Sequence, residues 1–297
     1  MKLVVFRNPS AQNRPLMNYR IGALLDEDTI ADLTPSVLPL GLTADEILRC
    51  YDLATDFLTP AMEAIQSGLL PTVNRDDVKL EAPVPRPSKI ICIGLNYLDH
   101  VTESGAEIPK APLIFSKFDT CVSASEGPIM LPVGSEQVDF EAELAVVIGR
   151  RAKNIKLDDA FDHVFGYTNF NDVSARDMQF ADGQWQRGKS CDTFAPFGEF
   201  VATKDEIADP HSLRIQFRLN GETMQDSNTN QLIFKIPDLI EYLSRSITLE
   251  PGDIIATGTP PGVGFARKPP VFLKDGDICE VEIEGLGILI NPVSKYV

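Results

Sequence analysis

The sequence reads Asp139-Phe140-Glu141-Ala142-Glu143-Leu144-Ala145-Val146-Val147-Ile148 where its pattern is sharpest. On a β-strand, side chains two residues apart point to the same face, so Glu141 and Glu143 are expected to project together. The apolar run that follows predicts a strand over residues 143–148. Two adjacent carboxylates repel each other, and a bound cation relieves that repulsion. The local sequence leaves one alternative open, in which the two acids lie on the solvated face of an edge strand.

A third acidic residue, Asp172, follows the strand-like segment 165–170. From the end of a strand its carboxylate can point inward as a metal ligand; alternatively, Asp172 is the N-cap of a helix. No histidine or cysteine accompanies the three acids, and a ligand set made of oxygen alone favours Mg²⁺, Mn²⁺ or Ca²⁺ over zinc. Glu141, Glu143 and Asp172 are therefore the candidate metal ligands.

A second group of candidate residues lies in the segment 94–103, which follows the short apolar run 90–93. If the chain is helical from Leu98 onward, His100 and Glu103 lie three residues apart on one face and can pair. A carboxylate partner orients an imidazole and raises its basicity, which suits a general base that activates water. The alternative is an ordinary ion pair on the surface of a helix.

Other polar residues lie near these two groups. Residues 254–264 predict a strand that runs into a glycine- and proline-rich loop, which presents backbone N–H groups and the Thr259 hydroxyl to an anion. The Lys-Ser/Thr pair of a P-loop is missing from that loop. Three basic residues, Lys117, Arg176 and Lys189, can bind a carboxylate if the fold brings them together, and are otherwise surface charges.

The pattern of the whole chain predicts an α+β protein that is rich in strands. Residues 1–69 are expected to form a small α+β domain, in which a helix begins with a capping box at Thr43 and Glu46. Residues 70–88 contain four prolines and are expected to form a Pro-rich linker or an extended edge segment. Residues 89–297 are expected to form the larger domain, with a helix over 237–246 and strands at 90–93, 143–148, 165–170, 214–219, 254–257, 278–283 and 288–290.

Composition narrows the classes of function. A net charge of −16 argues against binding to nucleic acid or to an anionic membrane surface. No apolar stretch approaches the roughly 18 residues of a transmembrane helix. The five scattered cysteines indicate reduced thiols, so we expect a cytoplasmic location. Mitochondrial targeting is the less favoured alternative, because Pro9 and Pro15 would break an amphipathic helix in the arginine-containing, acid-poor N-terminal segment.

Taken together, these segments resemble the fumarylacetoacetate hydrolase family, and in particular its domain-containing-protein-2-like branch. The resemblance spans residues 89–293, and the segment 182–185 also fits that branch. The matching motifs occur in the order Gly94-Leu95-Asn96-Tyr97 with His100 and Glu103, Phe115-Ser116-Lys117, residues 139–144, residues 171–177, Gly188-Lys189-Ser190, and Thr257-Gly258-Thr259-Pro260.

The resemblance implies a homodimer and, for residues 89–297, a mixed β-roll of the fumarylacetoacetase type. It also implies that Mg²⁺ or Mn²⁺, with Ca²⁺ as a substitute, is held by Glu141, Glu143 and Asp172. His100 and Glu103 are expected to lie on a lid over the bound substrate. The founding hydrolase has a further aspartate at the position of Ile93, so water or substrate oxygens are expected to complete the coordination here.

The activity that we expect from the resemblance is metal-dependent hydrolysis of a C–C bond in 2,4-diketo acids such as acylpyruvates or fumarylpyruvate. His100, oriented by Glu103, is expected to deprotonate the attacking water, and Lys189 to stabilise the departing enolate. The expected substrate-binding residues are Lys117, Arg176, Gln179 and Thr259. Two alternatives stay open: an isomerase, tautomerase or oxaloacetate decarboxylase that uses the same metal site on 2-keto dicarboxylates, and a non-enzymatic scaffold in which the acids only stabilise the fold.

Overall fold

The computed structural model describes residues 1–7, 19–37, 57–181 and 183–296 of the chain. Its helices are α1 (Thr34–Val37), α2 (Thr59–Ser67), α3 (Leu98–Ser104), α4 (Arg176–Ala181), α5 (Gln186–Lys189) and α6 (Ile236–Ser246). Its strands are β1 (Lys2–Arg7), β2 (Arg20–Leu24), β3 (Thr29–Asp32), β4 (Thr72–Asn74), β5 (Lys79–Glu81), β6 (Ile90–Gly94), β7 (Leu113–Lys117), β8 (Val122–Ser123), β9 (Ile129–Leu131), β10 (Val138–Asp139), β11 (Ala142–Ile148), β12 (Val164–Asn171), β13 (Ser174–Ala175), β14 (Ala195–Pro196), β15 (Val201–Thr203), β16 (Arg214–Leu219), β17 (Glu222–Asn228), β18 (Ile254–Ala256), β19 (Ile278–Ile283) and β20 (Ile288–Lys295).

The larger sheet has eleven strands in the order β4-β3-β2-β1-β15-β12-β11-β18-β6-β7, and β5 pairs with β1 beside this path. The pairing is antiparallel except between β18 and β6. Strand β11 lies well inside the sheet, between β12 and β18. Every residue of β11 is buried, including the ionisable Glu143. A buried charge is costly unless it has a partner, so this strand marks a special site.

The second sheet packs against the first and anchors the segment that carries the acids. Its five strands have the order β17-β16-β19-β20-β9. In β16 and β19 buried residues alternate with more exposed ones, as expected for strands with one face in the core. Phe217 of β16 stacks on Phe140, with the ring centroids 4.0 Å apart. The residue next to Glu141 is thereby fixed between the two sheets.

The N-terminal strands continue the same large sheet. Strand β1 pairs with β15, and β5 pairs with β1. The proline-containing segment 70–88 thus includes two short strands, β4 and β5, separated by a turn of 3₁₀-helix at Arg75–Asp77. The division of the chain into units 1–69, 70–88 and 89–297 stays a prediction.

Most of the predicted elements in the larger unit are confirmed, with adjusted ends. Strand β20 continues to Lys295, beyond the predicted segment 288–290, because its second half pairs with β9. Helix α6 is confirmed, and it buries Ile236, Leu239, Ile240 and Leu243. The helix predicted from Thr43 and residue Asp182 of the segment 182–185 lie outside the described residues. Across the described ranges, no helix has the length and hydropathy needed to cross a membrane.

Candidate active site

Three buried carboxylates meet where β11 begins and β12 ends. The two strands are antiparallel, and Ala142 lies opposite Asn171. The flanking residues Glu141 and Asp172 are therefore neighbours, and the Asp172 N–H donates to the Glu141 carbonyl oxygen at 2.9 Å. One carboxylate oxygen from each of Glu141, Glu143 and Asp172 lies within 4.8 Å of the other two.

The geometry decides two alternatives that the sequence left open. The acids are not on a solvated edge, because β11 is an interior strand and Glu143 is 1% exposed. Asp172 is not a helix N-cap: the helix that follows begins at Arg176, and the Asp172 carboxylate contacts two lysines instead. The predicted cluster of three acids is thus present and buried, and its role as a metal site rests on the donor chemistry described below.

Three basic side chains surround the acids, so the fold does bring the predicted cations together. Lys189 Nζ lies 2.8 Å from both Glu141 Oε2 and Asp172 Oδ2. Lys117 Nζ lies 2.5 Å from Asp172 Oδ1 and donates to the Val173 carbonyl oxygen at 3.0 Å. Arg176 Nη2 lies 2.6 Å from Glu141 Oε1. All three cations are buried, where such ion pairs hold their partners in fixed geometry.

The surroundings shift the pKa values of Glu141 and Glu143 in opposite directions. Burial raises the pKa of Glu141, but Lys189 and Arg176 outweigh it and lower the pKa to about 2. Burial, followed by the charges of Asp172 and Glu141, holds the pKa of Glu143 well above its ordinary value. Burial lowers the pKa of Lys189, but Asp172 and Glu141 outweigh it and raise the pKa overall. Glu143 is thus the acid whose charge is least compensated.

The donor set fits a hard divalent cation. All three candidate ligands are carboxylates, the oxygen donors that Mg²⁺, Mn²⁺ and Ca²⁺ accept. In the part of the chain that the structure describes, Glu143 makes no ion pair; its Oε2 accepts only from the Gly258 N–H, at 2.9 Å. Gly258 has φ +106, and a Cβ there would lie 2.9 Å from the Asn96 Cβ, so this close approach requires glycine.

The predicted pair of His100 and Glu103 is present on α3. His100 Nδ1 lies 3.2 Å from Glu103 Oε2, as the spacing of three residues on a helix requires. Glu103 also accepts from the Gly262 N–H, at 3.1 and 3.2 Å to its two oxygens. The pair therefore connects helix α3 to the glycine- and proline-rich loop.

A cavity of about 430 Å³ extends from the carboxylates to this pair. Most of the predicted site residues line it: His100, Glu103, Glu141, Glu143, Arg176, Gln179, Lys189 and Thr259. Lys117 and Asp172 are absent from its lining, and Lys117 lies behind Asp172. The Thr259 hydroxyl is engaged by the protein, since it donates to the Ala142 carbonyl oxygen and accepts from Gln225 Nε2, each at 2.9 Å. The roles of these residues stay predictions.

Sequence reasoning missed several residues that shape the site. Asp139 is fully buried; it accepts from Arg176 Nε at 2.9 Å and from the Gly264 and Phe265 N–H groups at 2.8 and 3.0 Å. The sequence did carry a signal for Asp139, because it lies two residues before Glu141 and side chains two residues apart on a strand point to the same face. Lys268 and the ring of Phe265 also line the cavity. They follow directly after the candidate loop 254–264, but neither carries a pattern of its own that marks it as part of the site.

Comparison with known proteins decides the family. The profile described as "Fumarylacetoacetate (FAA) hydrolase C-terminal" matches residues 89–294. The chain belongs to the fumarylacetoacetate hydrolase family. It is 54% identical over 297 residues to the oxaloacetate tautomerase Fahd2a, mitochondrial, of Rattus norvegicus, covering 99% of this chain and 91% of the relative. It is 46% identical over 296 residues to the oxaloacetate tautomerase fahd2, mitochondrial, of Xenopus laevis, covering 99% and 90%.

A solved structure supports the fold and a divalent-metal site. Maleylpyruvate hydrolase from Sphingobium sp. SYK-6, in complex with manganese(II) and pyruvate, superposes with a TM-score of 0.80 at 32% identity, and all of both chains is covered. The predicted α+β class and fumarylacetoacetase-type fold are confirmed. The three buried acids and the manganese in this relative together indicate a divalent-metal site.

Two predictions are wrong in the light of these family relatives. The relatives named oxaloacetate tautomerase contradict the predicted C–C hydrolase and favour the alternative, a tautomerase or isomerase. The physical reason is that the matched motifs describe a metal and carboxylate site that both reactions use, so they could not separate them. The same relatives are named mitochondrial, which contradicts the predicted cytoplasmic location.

Proposed function

We propose that this protein is a tautomerase that interconverts the enol and keto forms of oxaloacetate and depends on Mg²⁺ or Mn²⁺. The observation that carries the proposal is one cavity lined by Glu141, Glu143, Lys189 and the pair of His100 and Glu103. The choice of oxaloacetate as the substrate rests on the relatives named oxaloacetate tautomerase. When bound by Glu141, Glu143 and Asp172, the divalent ion would act as a Lewis acid toward a carbonyl oxygen.

Tautomerisation moves one proton between carbon C3 and the oxygen on C2 of the substrate. The chain therefore needs a group that takes up and returns a proton, and His100 is our candidate. Its Nδ1 contacts Glu103, which leaves Nε2 as the nitrogen that can exchange a proton. A carboxylate partner stabilises the protonated imidazole while it holds the proton.

The other residues in the proposal bind and stabilise the substrate. Negative charge develops on the C2 oxygen when the C3 proton leaves, and Lys189, one of two buried cations that line the cavity, is our candidate for stabilising it. Arg176 and Gln179 are our candidates for binding the C1 carboxylate. Arg176 Nη1 donates to Gln179 Oε1 at 3.0 Å, so the two side chains are oriented together. Lys117 then acts behind Asp172 as a positioning residue.

The proposal is tested by the decay of enol-oxaloacetate, which absorbs in the ultraviolet, measured against the uncatalysed rate. We expect Mg²⁺ or Mn²⁺ to accelerate the decay in the presence of protein, and a chelator to remove the acceleration. His100→Gln should lower kcat by about 10²–10⁴-fold, the usual contribution of a general base. The exposed Glu222→Gln is the matched control and should leave the rate unchanged. A parent rate in His100→Gln would contradict the proposed role.

We further propose that the protein is a homodimer. Strand β7 ends the large sheet, and within the described residues it pairs with β6 alone. The side chains of Leu113, Ile114 and Phe118 along this edge are 40%, 39% and 57% exposed. An apolar sheet edge in contact with water favours association. Light scattering at several protein concentrations tests the proposal, and a monomer at all of them would contradict it.

A further inference from the structure

The buried charges of the site are nearly balanced without a substrate. Four buried carboxylates, Asp139, Glu141, Glu143 and Asp172, adjoin three buried cations, Lys117, Arg176 and Lys189. A bound divalent ion would leave this group with one net positive charge. That charge matches one substrate carboxylate. The second carboxylate of a 2-keto dicarboxylate needs a further cation, because an unpaired carboxylate in a partly closed cavity is costly.

Lys268 lines the cavity, and the proposed function gives it no role. It lines the same cavity as Glu141 and His100, and it is exposed. Across the described ranges, its ammonium group makes no ion pair or hydrogen bond, whereas Arg176 and Lys189 are both paired with carboxylates. A lysine ammonium presents three donors and one positive charge. Lys268 can therefore give its full charge to a ligand.

The loop that carries Lys268 is held on both sides. The N–H groups of Gly264 and Phe265 donate to Asp139 at 2.8 and 3.0 Å. Arg267 donates through Nη2 to the Met224 carbonyl oxygen at 2.6 Å and through Nε to the Gly262 carbonyl oxygen at 3.1 Å. These bonds hold the residues that precede Lys268, and the Val271 N–H, which donates to the Gly264 carbonyl oxygen at 3.0 Å, holds the residues that follow it. A fixed origin reduces the entropy that a lysine loses when it binds an anion.

The charge of the whole protein makes a local cation more important. The chain carries a net charge of −16, which disfavours the approach of a dianion. Salt screens exposed charges beyond about 8 Å at physiological ionic strength, so a cation beside the ligand outweighs distant acids.

We propose that Lys268 binds the second, distal carboxylate of the substrate and makes the cavity selective for 2-keto dicarboxylates over 2-keto monocarboxylates. This inference rests on the proposed function, and it adds a residue that decides specificity. Binding of the first carboxylate and the keto oxygen does not require Lys268. Its removal should therefore weaken the binding of dicarboxylates alone.

The test uses two ligands that cannot tautomerise, because their C3 carries no hydrogen. Dimethyloxaloacetate has the distal carboxylate, and trimethylpyruvate has a methyl group in its place. Binding of each to the Mg²⁺-loaded protein is measured by titration calorimetry. Lys268→Met keeps most of the length of the side chain and removes the charge. We expect it to weaken dimethyloxaloacetate binding at least about tenfold, the lower end of the range for a hydrogen bond to a charged group, and to leave trimethylpyruvate binding unchanged.

Two further variants complete the experiment. Lys268→Arg restores a cation and should recover most of the affinity for the dicarboxylate. Lys274→Met changes the net charge equally at an exposed lysine outside the cavity lining, and it should bind both ligands as the parent does. Equal weakening of both ligands in Lys268→Met, or no weakening of either, would overturn the inference. If the parent protein converts enol-oxaloacetate while Lys268→Met binds both ligands as the parent does, only the inference about Lys268 fails. If the parent neither converts enol-oxaloacetate nor binds dimethyloxaloacetate, the proposed function fails as well.

Discussion

The buried acids allow a prediction in which two neighbouring glutamates respond in opposite ways to loss of their charge. The variants are Glu143→Gln and Glu141→Gln, measured with and without Mg²⁺ or Mn²⁺. The carboxylate oxygens lie within 4.8 Å of one another, so at an effective dielectric constant of about 20 two negative charges repel by at least about 3.5 kcal/mol. Glu143 faces two such charges and has no ion pair within the described part of the chain.

In the absence of metal, Glu143→Gln should therefore be as stable as the parent or more stable. Glu141→Gln should be less stable, because Lys189 and Arg176 lose a buried partner, at a cost of about 3–5 kcal/mol. An unfolding entropy of about 2.1 cal/mol/K per residue gives about 0.6 kcal/mol/K for 297 residues. The melting temperature of Glu141→Gln should thus fall by about 5–8 °C.

Metal should raise the melting temperature of the parent and of neither variant. At a concentration one hundred times its Kd, a ligand stabilises the folded state by about 2.7 kcal/mol, which corresponds to about 4 °C here. Differential scanning calorimetry after treatment with a chelator measures both effects, and the exposed Glu222→Gln serves as control. A metal-induced rise in Glu143→Gln equal to that of the parent would refute the assignment of this residue as a ligand.

Two further predictions concern groups that support the site and the fold. Asp139→Asn removes the charge that Arg176 contacts at 2.8 Å. We expect calorimetry to show a melting temperature about 5–8 °C lower and kinetics to show a raised KM for oxaloacetate. An unchanged KM would show that Arg176 does not need Asp139 to hold it in place. His211 Nε2 accepts from the Ile236 N–H at 3.1 Å, and burial, then Lys235, lowers its pKa from 6.5. The unfolded state binds a proton at His211 more readily than the folded state does. The contribution of His211 to the free energy of unfolding is therefore complete above pH 6.5 and is lost as the pH falls through the lower pKa of the folded state. In urea unfolding between about pH 7 and pH 5, the parent should lose more free energy of unfolding than His211→Gln, whereas parallel profiles would contradict this role.

The sequence predicted those parts of the site that depend on local periodicity. Alternation of period two brought Glu141 and Glu143 to one face, and helical spacing paired His100 with Glu103. The strand end at Asp172 was also predicted correctly. In each of these cases the geometry follows from residues close together in the chain, and tertiary packing did not override it.

The remainder depends on contacts between distant segments. The sequence could not show that Lys117 supports Asp172, from 55 residues away, or that Gly258 donates to Glu143, from 115 residues away. Lys117 was predicted to bind substrate because its motif lies beside the site, but its ammonium group is taken up by Asp172 and the Val173 carbonyl oxygen. The prediction of a hydrolase was wrong for a similar reason. The motifs describe a site that hydrolases and tautomerases share, and residues outside the motifs decide which reaction follows.

The distribution of cations shows how a fold can hold three acids together before any metal arrives. Asp172 contacts Lys117 and Lys189, and Glu141 contacts Lys189 and Arg176. Among the described residues, Glu143 receives one backbone N–H and no cation. If Glu143 were paired with a cation of its own, the four buried carboxylates, Asp139 included, would be fully compensated and would gain little from a divalent ion. Because two acids are fixed by cations and the third is left uncompensated, the site combines a defined geometry with a remaining demand for positive charge.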